Sequence, residues 1–353
     1  MESCQIGWNL KELGRHEEAI ESHQKALKLW EEEKTRLDKL DNFEWIGLNL
    51  QELGRHEEAI EMHQKALKSR EEEKNLAGLA DNLEWIGWNL QKLGRHEEAI
   101  ESHQKALKLR EDEKNTAGQA WNLGQIGWNL QELGRHEEAI EAHQKALKLR
   151  EDEKNMAGQA WNFESLGINY TELNQYEKAV EVYLKALELR KKENSIFEQA
   201  WNLGHIGENL LLQNKKNEAW QLLIETDLPK EKVFKEFGDA IIFKEKKEGH
   251  AAAFAIGNDL LVRLRNDESI FNINACLISF FANLLEMKSS TALFQDLCEE
   301  ALNLFPSPGS QTVIRAALAT AEYVAGGKEP AYLETLPPDT ALVVEAIVKE
   351  GEL

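Results

Sequence analysis

One heptapeptide constrains this chain more than anything else in it. GRHEEAI stands at residues 14–20 and returns unchanged at 54–60, 94–100 and 134–140, always 40 residues apart. A catalytic site gathers unlike groups in one place. Identical groups at a fixed interval belong instead to a stack, in which each copy is too small to bury its own apolar face. Residues 121–160 differ from 81–120 at only six of 40 positions, and 41–80 is close behind. The copy at 161–200 has diverged further, the one from 201 keeps only its first half, and a copy with altered ends opens the chain. Six repeats therefore run over residues 1–226, followed by a stretch of different composition at 227–353: all six prolines lie in the latter and all ten tryptophans in the former.

Each repeat holds two helical patterns. In the fourth, Leu123, Ile126, Gly127, Leu130 and Leu133 share one face of the first helix. Gly134 follows as a left-handed stop. Ala139, Ile140, His143, Ala146 and Leu147 then share a face of the second helix, whose first turn carries Glu137 and Glu138 as the helix dipole prefers. Gly127 and Ala139 fall inside these core stripes. Gly7, Gly47, Gly87, Gly167 and Gly207 repeat the first, and Ala19, Ala59, Ala99, Ala179 and Ala219 the second. A glycine inside a helix costs about 1 kcal/mol against alanine. Its recurrence in every copy predicts that two backbones approach closely there. The expected fold is all-α, built from antiparallel helix hairpins.

The pattern Ile126-Gly127, Leu130, Gly134, Ala139, His143, Ala146-Leu147 resembles the tetratricopeptide repeat, in the 40-residue form similar to repeats of kinesin light chain and spindle-orientation adaptors. The resemblance implies a right-handed superhelical solenoid with a concave groove, and a role in protein–protein interaction. It covers residues 1–226. Histidines stand where the family often has aromatics, at His136 and His143; repeat 5 keeps Tyr176 and Tyr183. The stretch 227–353 reads as further helices, degenerate hairpins near 231–246, 251–265, 272–287, 291–304, 311–324 and 339–349, which cap the array.

A second stripe runs opposite the core face of the first helix. In repeat 4 it comprises Trp121, Gln125, Trp128 and Glu132, at i, i+4, i+7 and i+11. Trp8, Trp45, Trp85, Trp88, Trp161 and Trp201 occupy equivalent places, so eight of the ten tryptophans share this stripe. The resemblance would place it in the groove. Indoles there read either as binding surface or as filler between neighbouring helices. Glu44 and Glu84 lie one residue off the stripe. Indoles beside carboxylates suit a basic or amphipathic peptide through cation–π contact and charge pairing. Family members that grip a peptide's terminal carboxylate use Lys, Asn and Arg in this region, whereas this chain has Glu44, Glu84, Trp88 and Trp128. A carboxylate clamp of that kind is therefore not expected.

Asparagines flank the stripe at 9, 49, 89, 129, 169 and 209, and again at 42, 82, 122, 162 and 202. They suit a ladder that fixes the register of the stack, or recognition of a peptide backbone. Eight of ten histidines come in pairs seven apart, such as His136 and His143. Seven residues span about 10.5 Å of helix, too far for one metal with its nitrogens at about 2 Å. Burial in place of an aromatic is the expectation, and no metal or cofactor is expected.

The net charge of -21 argues against nucleic acid and anionic membrane and favours basic partners. Cys4, Cys276 and Cys298 have no disulfide or metal spacing. The apolar stretch 275–285 is too short to span a bilayer, and no secretory signal is expected. A cytoplasmic location is expected. Gly326-Gly327-Lys328 lacks the rest of a phosphate loop, and no nucleophile elbow or metalloprotease motif occurs. The expectation is a non-enzymatic scaffold that holds a protein or peptide. A sensor segment of a larger signalling protein, or a structural spacer, would also suit the repeats.

Overall fold

The computed structural model describes residues 9–33, 36–266, 273–286, 291–326 and 344, with no strand among them. The chain divides into two compact bodies, Met1–Asn169 and Tyr170–Leu353.

In the first body the helices are α1 (His16–Glu33), α2 (Arg36–Glu52), α3 (His56–Glu73), α4 (Leu76–Lys92), α5 (His96–Asp112), α6 (Thr116–Glu132), α7 (His136–Asp152) and the greater part of α8 (Met156–Glu172). From α1 to α7 each packs on the next, and α8 meets α7 through Trp161 on His143. The even-numbered helices are the first of each hairpin (A helices) and the odd-numbered the second (B helices).

The heptapeptide accounts for the turn from A to B residue by residue. Gly134 takes φ 71°, a left-handed value that costs glycine little. Its N–H donates to Gln131 and that of Arg135 to Leu130, closing the helix end. Arg135 Nε and Nη2 then grip both oxygens of Glu138 at 2.6 Å, across the new helix's first turn. Ala139 is fully buried. The same bonds recur at Arg15–Glu18, Arg55–Glu58 and Arg95–Glu98. The return turn, from B to A, uses lysine in the left-handed region: Lys74, Lys114 and Lys154 have φ 56–58°. An asparagine then caps the next helix, with Asn115 Oδ1 accepting from the N–H of Gly118 at 2.9 Å.

Apolar layers alternate with these turns. Ile60 on α3, Ile86 and Leu90 on α4 and Ala99 on α5 form one layer. Ile100, Ile126, Leu130, Ala139 and Ala142 form the next. Each layer takes side chains from three successive helices, which is why one hairpin cannot be stable alone. At Gly47, Gly87 and Gly127 an added Cβ would lie 2.6–2.8 Å from the imidazole of His63, His103 or His143. The glycines therefore make room for a buried ring of the partner helix and not, as expected, for its backbone. Gly7 lies outside the described residues.

In the second body α9 (Tyr176–Lys192), α10 (Ile196–Leu212), α11 (Lys216–Glu225), α12 (Lys230–Glu248), α13 (His250–Asn266), α14 (Ile273–Glu286), α15 (Thr291–Leu304) and α16 (Pro308–Gly326) follow. Helices α10, α12, α14 and α16 form one row, each packed on the one before, and α13 and α15 pack in a second row. The hairpin plan outlives the sequence period. Close approach recurs where Gly257 meets Leu297, with 2.6 Å from an added Cβ to the leucine methyl. Phe280, Phe281 and Phe294 form the core edge to face, with centroids 5.2 and 5.7 Å apart. Cys276 and Cys298 are buried free thiols. Five of the helices expected after residue 226 match α12 to α16 within a few residues; the one expected at 339–349 lies outside the described residues, apart from Val344.

Candidate interaction face

The stripe residues of the first body lie on α2, α4, α6 and α8. Trp45, Trp88, Trp121, Trp128 and Trp161 are half-buried, and Trp85 is 39 % exposed. Trp8 lies outside the described residues. Every one of these six indoles leans on a histidine of the preceding B helix. His63 stacks on Trp85 at 6.3 Å, and His103 meets Trp121 edge-on at 5.4 Å. Trp45 pairs with His23 and Trp161 with His143. Trp88 and Trp128 rest on the outer histidines, His56 and His96, at 5.8 and 5.7 Å. The indole that meets the buried histidine changes position along the stack. It comes from 45 and 85 where the residue four earlier is Asp41 or Asp81, and from 121 and 161 where the residue four later is Gln125 or Ser165. Four residues are one helical turn, so either place reaches the same ring. The rings thus fill space against the preceding helix, as expected of filler, while each keeps part of its surface exposed. In the second body Trp201 lies 5.9 Å from Tyr183 and 4.2 Å from His205.

The inner histidines His23, His63, His103 and His143 are fully buried. Burial pushes the last three down to about 4, against the weaker opposing pull of an asparagine amide. They are neutral rings near pH 7. The outer histidines bond asparagines of the next A helix: His56 to Asn89, His96 to Asn129 and His136 to Asn169, at 2.9–3.0 Å. The other end of each asparagine donates to a glutamine of the A helix before it, Gln51, Gln91 or Gln131, at 2.9–3.2 Å. These asparagines are fully buried and bonded at both ends of the amide. They serve the register of the stack and have no atom left for a peptide backbone.

Glu44 and Glu84 are also tied into the stack. Arg70 reaches both oxygens of Glu44 at 3.0–3.1 Å, and Asn82 adds a bond of 2.7 Å. Arg110 grips Glu84 with Nε and Nη2, both at 2.9 Å, while Asn122 donates at 2.6 Å. Arg110 meets Asp81 as well. These arginines stand in KSREEEK and KLREDEK, which read as solvated charge runs. The available signal was the fixed 26-residue offset between each Arg and its Glu. Exposed acid on the stripe remains at Glu52 and Glu132, with Lys92 between them in the equivalent place, 5.1 Å over Trp88. Gln125 is half-buried. A concavity of about 280 Å³ lies elsewhere, over α1, α2 and α3, lined by Glu17, Ile20, Gln24, Ile46, Leu50 and Met62 among others.

Family models for the tetratricopeptide repeat match residues 5–72, 78–152 and 164–193. These are tetratricopeptide repeats. Solved structures agree on the fold. BtubC (BKLC) from P. vanneervenii superposes with a TM-score of 0.52 at 15 % identity, over 59 % of this chain and 87 % of that one. The apo form of RapI gives 0.56 at 16 %, over 81 % and 80 %. No curated protein matches the sequence. Tetratricopeptide repeats are typical of protein-interaction scaffolds, so the half-open indoles belong to a fold commonly used to hold other proteins. No described helix is long and apolar enough to cross a membrane.

Proposed function

We propose that the chain is a non-enzymatic scaffold whose A-helix face holds a segment of a partner protein against the indoles of α2, α4, α6 and α8. The supporting observation is the row of six indoles, each propped by a histidine and each partly exposed. Tryptophan held rigid from behind offers large contact area with little rotamer entropy to lose. A basic or amphipathic segment suits the net charge of -21 and the exposed Glu52 and Glu132. Glu44 and Glu84 support that reading less, since each already has an arginine.

Trp88 and Trp128 are the residues to change, because they rest on the outer histidines and leave the buried rings untouched. Trp88→Ala with Trp128→Ala should keep the helical signal and lose partners that the wild type retains in a pull-down. Equal recovery of every partner by both proteins would refute the groove.

A further inference from the structure

Repeat 4 departs from its neighbours at one charged contact. In repeats 2 and 3 the last-turn arginine of the B helix is met by a glutamate 26 residues earlier, Glu44 for Arg70 and Glu84 for Arg110. The equivalent of Glu84 beside Arg150 is Gly124, and that of Asp81 is Trp121. Arg150 is nonetheless 8 % exposed, as deep as Arg110. Its Nη1 donates to the Gly158 carbonyl at 2.8 Å. With the Asn162 amide turned so that its oxygen faces the arginine, Nη1 gains a second acceptor at 3.2 Å. Nε and Nη2 have no acceptor, and no carboxylate forms an ion pair with Arg150 among the described residues. These are the two donors with which Arg110 grips Glu84.

The surroundings have adjusted to the missing acid. The Trp161 ring lies 5.3 Å from the guanidinium, over the place that a side chain at 124 would take. A Cβ built on Gly124 would meet Trp161 Cζ3 at 2.8 Å and Arg150 Nη2 at 3.5 Å. Trp121, the equivalent indole in the previous interface, makes no such stack on Arg110 and leaves room for Glu84. Burial pulls Arg150 below the ordinary guanidinium value, with Glu153 opposing from beyond ion-pair distance, whereas Glu84 and Asp81 raise Arg110. A guanidinium stays charged in either setting.

We propose that Arg150 and the place over Gly124, which the Trp161 ring covers, form a receptor for one carboxylate from outside the chain, an Asp or Glu side chain of the protein partner. A carboxylate there would complete the two-donor fork that repeats 2 and 3 complete internally, displacing the indole toward the position that Trp121 holds. This is a single side-chain contact on a B-helix arginine, distinct from a clamp for a peptide terminus on the A helices. It rests on the scaffold reading only for the source of the acid; the receptor itself is tested without any partner.

The probe is acetate, titrated into the full chain at constant ionic strength against chloride, with NMR detection of arginine Nε–H and indole N–H signals. Arg150 and Trp161 should shift saturably with millimolar half-saturation, while Arg110, whose fork is filled, should not. Gly124→Glu should abolish the acetate response by supplying the acid internally. If that variant fails to fold, Glu84→Gly provides the converse: it should open a second saturable response at Arg110. Absence of a saturable shift in the wild type would overturn the proposal. So would an equal response to chloride, a response to inorganic phosphate alone, or an undiminished shift at Arg150 in folded Gly124→Glu. A positive acetate result beside unchanged pull-down by the Trp88, Trp128 double variant would leave the receptor standing and remove the indole groove.

Discussion

At the scale of single residues, steric fit overrides propensity. Alanine in place of a helical glycine ordinarily gains about 1 kcal/mol. At Gly127 the new methyl would lie 2.7 Å from His143 Nε2. Gly127→Ala should therefore destabilise, by about 1–3 kcal/mol as overpacked cores do, in urea unfolding followed by circular dichroism. A stabilised variant would show that the ring is not held over the glycine. Glu84→Gln leaves Arg110 buried beside only Asp81 and Glu113. Weakening a hydrogen-bonded contact of this kind while two carboxylates remain costs about 1.5–3 kcal/mol, and the same melt would detect it. Both residues were visible in the sequence for different reasons. Gly127 was legible as a packing residue because six copies keep it. Glu84 looked like groove acid, because its arginine lies 26 residues away on another helix, beyond any single-helix pattern.

At the scale of elements, the hairpin termini carry much of the specification. The stop at Gly134 was legible, since glycine marks left-handed backbone. The opposite turn was not: Lys114 takes φ 58° where sequence offers no special residue, and Asn115 proves to be the cap of the helix that follows. Loss of that cap in Asn115→Ala should cost about 1 kcal/mol, measurable as a lower denaturant midpoint with unchanged slope. The indole stripe was legible as a helix face. That each ring would be backed by a histidine from the preceding repeat was not, because period reports which residues share a helix and not what the next helix presents.

For the molecule as a whole, the buried histidines tie the stack to pH. An unfolded histidine titrates near 6.5, while His63, His103 and His143 are held down at about 4 in the fold. Their contribution is complete above the unfolded value and is lost as pH falls from about 6.5 toward 4. In that window unfolding takes up about three protons, so stability should fall by about 4 kcal/mol per pH unit. His23 is shifted the same way and adds to the effect. Melting at pH 7.5 and 5.5 checks this, and an unchanged midpoint would mean that the rings are charged or exposed.

The asparagine rungs have a consequence for how such a chain changes length. His56–Asn89, His96–Asn129 and His136–Asn169 are one joint made three times, as are the matching glutamine contacts. Excising residues 81–120 would set Asn129 against His56 and Gln51, the same chemistry at the new seam. Copies joined this way are interchangeable, so the segment can gain or lose whole cassettes while every junction stays matched. What such an event would alter is the order of the acids and indoles offered outward, and with it where the lone Arg150 falls along the row.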